Sequence, residues 1–118
     1  MKVLVIEAEM ASIFHIDVTL EWLQATVGGY IEVFSSGNSH SDWHGYCNEE
    51  GKIQALRPNT VATKFAHKLG WPRGDILVGN VIFLGNGLDG DEADVPEWLI
   101  EEFTKFAETV EEYKDALS

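Results

Sequence analysis

The chain is short of cysteine, of basic residues and of long apolar runs, and each shortage excludes something. One cysteine, Cys47, cannot form an intramolecular disulfide, so stability must come from packing and a reducing cytoplasm is the expected setting. No apolar run reaches the roughly 18 residues that a membrane-spanning helix needs. The opening apolar stretch meets Glu7 too soon for a signal peptide. Only 8 Lys and Arg stand against 20 Asp and Glu, a formal net charge of −12. Residues 89–118 hold 11 of those acids and 2 of the bases, so the negative charge gathers in the C-terminal quarter. Such a surface repels phosphate, which disfavours direct binding to nucleic acid or an anionic membrane and favours a basic protein partner. There is no internal repeat, and no low complexity beyond the acidic bias.

What remains fits one α+β domain: 118 residues, 45% hydrophobic, long enough for a core of their own. The pattern predicts a mixed sheet of about five strands, near 3–6, 30–34, 43–47, 52–56 and 81–84, and three helices near 18–27, 60–69 and 95–113. Residues 3–6 and 81–84 are continuous apolar runs, as in central strands covered on both faces. In 30–34, Ile31 and Val33 face one way, Tyr30, Glu32 and Phe34 the other. Residues 43–56 read as a hairpin that turns through Asn48, Glu49, Glu50 and Gly51, with Gly51 in the left-handed conformation. Residues 7–16, 35–41 and 85–94 read as loops. Asp17 is the expected cap of the first helix, Asn59 of the second, and Asp94 of the third, with Glu97 completing a capping-box variant. Leu99, Phe103, Phe106, Val110, Tyr113 and Leu117 form a seam that must pack on the sheet or on a second copy of the protein, so a monomer and a homodimer are both open.

Several motifs carry chemistry on paper. Gly85, Gly87 and Gly90 match a dinucleotide fingerprint, but Asp89, Asp91, Glu92 and Asp94 would confront the pyrophosphate, and no cofactor is expected. His40, Asp42 and His44 recur at period two and form a weak zinc or nickel candidate that matches no structural zinc spacing. Cys47 has no base beside it, because His44, three residues away on a strand, points to the opposite face. Four tryptophans are many for a domain this small to bury, and Trp43 and Trp98 flank acidic loops. The expected interface is therefore Trp43 and Trp98 with an acidic surface of Asp89, Asp91, Glu92, Asp94, Glu97, Glu101 and Glu108. The alternative is a small-ligand or nucleotide-binding protein, or a minor enzyme, with a cleft between the Glu32 strand and the 43–56 hairpin, where Tyr30, Glu32, Asn48, Glu49 and Asn59 would converge.

The order of four motifs resembles one family. Val27-Gly28-Gly29-Tyr30-Ile31-Glu32-Val33, Cys47-Asn48-Glu49-Glu50-Gly51-Lys52, Pro58-Asn59-Thr60-Val61-Ala62-Thr63 and the run from Asp75 through Gly79 and Asn80 to Gly85 are similar to the domain-of-unknown-function 3846 family. The resemblance covers residues 1–104; the loop at 36–42 and the acidic tail depart from it. It implies a setting in bacteriophages or mobile elements and an accessory role. It transfers no activity and no catalytic residue. Together these readings point to a noncatalytic protein that binds a basic host protein.

Overall fold

Two apolar runs without polar interruption become the centre of a sheet, because only a position covered on both faces suits them. The computed structural model describes residues 1–36 and 41–110. Among these the elements in order are β1 (Lys2–Ile6), β2 (Ala11–His15), α1 (Leu20–Val27), β3 (Ile31–Phe34), β4 (Trp43–Asn48), α2 (Thr60–Lys68), β5 (Val81–Asn86), β6 (Glu92–Ala93) and α3 (Glu97–Glu108), with a 3-10 turn at Leu88–Gly90. The strands lie in the order β2-β1-β5-β4-β3, all antiparallel, and β6 pairs with the end of β5.

Period two divides the side chains between two layers. Leu4, Ile6, Phe34, Trp43 and Phe83 face α2 and α3, which contribute Phe65, Leu99 and Phe103. Val3, Val5, Ile82 and Leu84 face α1, which contributes Leu23 and Val27. The seam on α3 is thus satisfied within the chain as far as Phe106 and Val110. Gly45 permits the tightest packing of the first layer: a Cβ there would overlap the ring of Phe34, which lies against Trp43 and Phe83 with centroids 6.0 and 5.6 Å away.

The α+β class, the three helices and four of the five expected strands are present, but the sheet is antiparallel throughout where a mixed one was expected. The strand expected at 52–56 is a turn instead, so residues 43–56 form no hairpin and β4 pairs with β3 and β5. Short-range bonds close that turn, with Gln54 N donating to Glu50 O and Leu56 N to Gly51 O. Ile53 consequently stands 86% exposed. Gly51 does not adopt a positive φ; Ala55 does, at 56°. Gly51 is needed for a close approach, since a Cβ there would reach 2.5 Å from Val78. β2 occupies a stretch expected as loop, and 85–94 holds the end of β5, the 3-10 turn and β6.

The caps differ as well. Thr19, not Asp17, caps α1, its hydroxyl accepting from Trp22 N. Pro96 precedes α3 without a side-chain cap, and Asp94 accepts from Lys2 N at 2.9 Å. The helix ends at Glu108, short of 113; Tyr113 and Leu117 lie outside the described residues. Asn59 caps α2 as expected, accepting from Ala62 N at 3.0 Å.

Candidate functional site

The face of the sheet under α2 and α3 carries two openings. The first is a shallow groove of about 330 Å³ bordered by Ser36, Ser41, Asp42, Leu69 and Trp98. Trp98 lies in the first turn of α3, 40% exposed, and its indole N–H donates to Asp42 at 2.8 Å. Glu97 and Glu101 flank it on the exposed side of the same helix. Lys2 Nζ reaches Glu97 at 3.0 Å, an ion pair that solvent weakens. Trp43, expected beside Trp98 at an interface, does border the same groove, but it is a core residue, 2% exposed and packed on Phe34 and Phe83.

The second opening is a cleft of about 300 Å³ between β3, β4 and residues 75–78, lined among others by Glu32, Cys47, Glu49, Lys52, Trp71 and Asp75. Strand pairing sets Glu32 directly opposite Cys47. Lys52 forms an ion pair with Asp75, which holds the Asp75 carboxyl below its usual range. Burial, then the negative charges of Glu32 and Asp75, pushes the Cys47 thiol up to about 12. The thiol therefore stays protonated at neutral pH and is a poor nucleophile. Alkylation by iodoacetamide at about pH 8, followed by mass spectrometry, is expected to run about a hundredfold slower than for a free cysteine and to accelerate as pH rises towards 12. A rate like that of a free cysteine would contradict this electrostatic picture.

Three residues expected in the cleft do other work or stand apart. Asn48 lines it but is buried, its amide donating to Val27 O and Gln54 Oε1 while its oxygen accepts from Glu50 N. Asn59 is 1% exposed inside the fold and does not line it. Tyr30 is 64% exposed and does not line it either.

On the opposite face the register assembles a cluster that the sequence did not suggest. His44 and Tyr46 alternate along β4, Asn86 ends β5, and Glu92 on β6 is paired with Asn86. Glu92 accepts from Tyr46 OH and lies 2.8 Å from His44 Nε2, while His44 Nδ1 meets the Asn86 oxygen. Asn86 cannot offer its nitrogen instead, because its NH2 already donates to Ser41 O and Trp43 O. Both ring nitrogens of His44 thus face oxygens. Burial, then Glu92, pushes the Tyr46 hydroxyl upward. No cavity opens on this cluster among those described, and its visible effect is to tie β6 to β4.

The acids of the expected surface differ in exposure. Asp91, Asp94, Glu97, Glu101 and Glu108 are exposed, whereas Glu92 is drawn into the cluster just described. Asp89 sits in the 3-10 turn with its side chain outside the described part. Asp42 and His44 are engaged by Trp98 and by Asn86 with Glu92, and His40 lies outside the described residues. Among the described residues no group of three His, Cys, Asp or Glu is placed to hold a metal, and no helix is long and apolar enough to cross a membrane. The glycines of the 85–90 motif serve the backbone: Gly85 and Gly87 let residues 91–94 pass closely, and Gly90 has a φ of 79°.

An antiparallel sheet with helices on both faces and two openings under one of them defines a small α+β domain. The family model described as Domain of unknown function (DUF3846) matches residues 1–108, and the chain belongs to that family. No curated protein and no solved structure matches it.

Proposed function

We propose that the protein is a noncatalytic accessory protein that binds a basic host protein through Trp98, Asp42 and the acids of α3. The observation that carries this reading is Trp98 itself. A large aromatic side chain stands 40% exposed beside a groove, oriented by its bond to Asp42 and flanked by Glu97 and Glu101. An aromatic anchor already fixed in position loses little freedom on binding, and surrounding carboxylates select a cationic partner. The charge distribution argues against nucleic acid and anionic membrane as direct partners. The phage and mobile-element setting implied by the family resemblance makes the partner a host protein in the cytoplasm, with inhibition of a host or defence function as the outcome. The raised Cys47 thiol argues against that residue as a nucleophile in the cleft it lines.

The test is capture from host lysate followed by affinity measurement with the recovered protein. Trp98→Ala combined with Glu101→Lys is expected to weaken binding by about tenfold or more, equivalent to about 1.4 kcal/mol. Raising the salt should weaken the wild type too, since the screening length falls from about 8 Å to about 3 Å between physiological and 1 M ionic strength. A partner retained equally by the double variant and insensitive to salt would refute the reading. The cleft at Glu32 favours a second reading, a small-ligand site, which a thermal-shift screen addresses: a ligand at about 100 times its dissociation constant adds about 2.7 kcal/mol.

A further inference from the structure

The cleft at Glu32 has unbalanced charge. Its one lining cation, Lys52, is paired with Asp75. Among the described residues the carboxylates of Glu32 and Glu49 have no ion-pair partner. Cys47, which lines the cleft and pairs across the strands with Glu32, has a thiol that burial pushes upward and that neutralises neither. Trp71 supplies an aromatic wall whose ring is stacked on His67 with centroids 5.1 Å apart. A volume of about 300 Å³ lies at the small end for ligand sites and suits a single long side chain. Carboxylate and indole together match a planar cation better than a compact ammonium, because a guanidinium can take a carboxylate with two parallel N–H donors and lie against an aromatic ring.

β3 adds a direction to the site. It is the last strand of its sheet, so its outer edge has no strand partner among the described residues. Glu49 N donates to Tyr30 O, which places residue 30 in a hydrogen-bonded pair. The antiparallel alternation then points the backbone groups of Glu32 and Phe34 at β4 and those of Ile31 and Val33 outward. An extended segment added to that edge would carry every second side chain on the face where Glu32 and the cleft lie.

We propose that the cleft receives an arginine side chain from an extended segment of a protein partner, paired along the free edge of β3. The inference rests on the reading of the protein as a binder of a basic partner, and names a contact for that partner distinct from Trp98. Glu32 is the guanidinium acceptor, Trp71 its aromatic wall, and Ile31 and Val33 the main-chain contacts.

The probe is a capped seven-residue peptide of alternating threonine and valine with a central arginine, titrated into the isotope-labelled full chain. Its control is the same peptide with citrulline, which keeps the shape and loses the charge. The arginine peptide should shift the amides of Ile31 and Val33 and the indole of Trp71, slow Cys47 alkylation further, and bind about tenfold tighter than the citrulline peptide. Glu32→Gln should abolish that preference, and Glu32→Asp should restore part of it, because Glu32 is exposed and neither change disturbs the core. Equal binding of the two peptides, an unaltered preference in Glu32→Gln, or agmatine alone binding as tightly as the peptide would each overturn the proposal. Trp98→Ala should leave this titration unchanged, so loss of the lysate partner in that variant and failure of the peptide are separate results.

Discussion

Replacing Asn59 with alanine is expected to lower the unfolding free energy by about 3 kcal/mol and the thermal midpoint by about 10 °C, measured by calorimetry or denaturant titration. The residue is 1% exposed and its side chain makes three bonds. Its oxygen accepts from Ala62 N and caps α2, and its nitrogen donates to Ile6 O at 2.9 Å and to Gly79 O at 2.8 Å. Alanine would remove the cap, worth about 1 kcal/mol, and strand two carbonyls, at a desolvation cost of about 1 kcal/mol or more each. The loss would spread, because these bonds join the end of β1, the turn into β5 and the start of α2. Thr63 reinforces the same junction, accepting from Leu77 N while donating to Asn59 O. Serine at position 59 keeps a capping oxygen without the two donors and should recover about 1 kcal/mol of the loss. Aspartate should recover nothing, since its carboxylate would meet the two carbonyls. A change below about 1 kcal/mol in the alanine variant would mean that the buried amide is not the junction it resembles.

Asn59 shows how far the chain could be read. Its role as a cap was legible, because an amide side chain following Pro58 and preceding a helical pattern is a local signal. Its two donor bonds were not, since Ile6 and Gly79 are remote in sequence and near only in the fold. The apolar runs of β1 and β5 were legible for the same local reason, as were the opposite facings of His44 and Cys47. β2 escaped notice because the turn before it has no Gly, Pro or Asn, only residues 7–10 closed by Glu7 N to Met10 O. As an edge strand it also leaves Ile13 and Phe14 both about 40% exposed, which erases alternation. Residues 52–56 misled in the opposite sense: Ile53 and Ala55 alternate as a strand would, yet backbone bonds back to Glu50 and Gly51 win. The cluster of His44, Tyr46, Asn86 and Glu92 depends on the β4-β5-β6 register. The alternation of His44 and Tyr46 was its one visible trace. At the candidate surfaces, Trp98 and Glu32 could be picked out as exposed candidates, but the contact of Trp98 with Asp42 and the wall formed by Trp71 required tertiary structure.

Substituting alanine for Gly85 is expected to cost about 3 kcal/mol, the upper end for a single added methyl, and to disturb the Trp98 surface as well. Gly85 lies between Trp43 on β4 and Ala93 on β6, and an added Cβ would overlap the backbone carbonyl of Asp94. Flexible side chains yield to such a collision; a carbonyl in a pinned chain does not. Asp94 is held by its bond from Lys2 N, and Val95 N donates to Lys2 O at 2.8 Å. Relieving the overlap means lifting residues 94–95 off β1, and with them the start of α3, where Val95 and Leu99 are buried and Trp98 meets Asp42. Two measurements should therefore move together in Gly85→Ala: the unfolding midpoint falls, and Trp98 fluorescence shifts as its indole loses the fixed contact. If the midpoint fell with the environment of Trp98 unchanged, the crossing at Gly85 would be a local packing constraint alone. If both moved and binding of the basic partner weakened in the folded fraction, the glycine would link the centre of the sheet to the surface proposed for recognition.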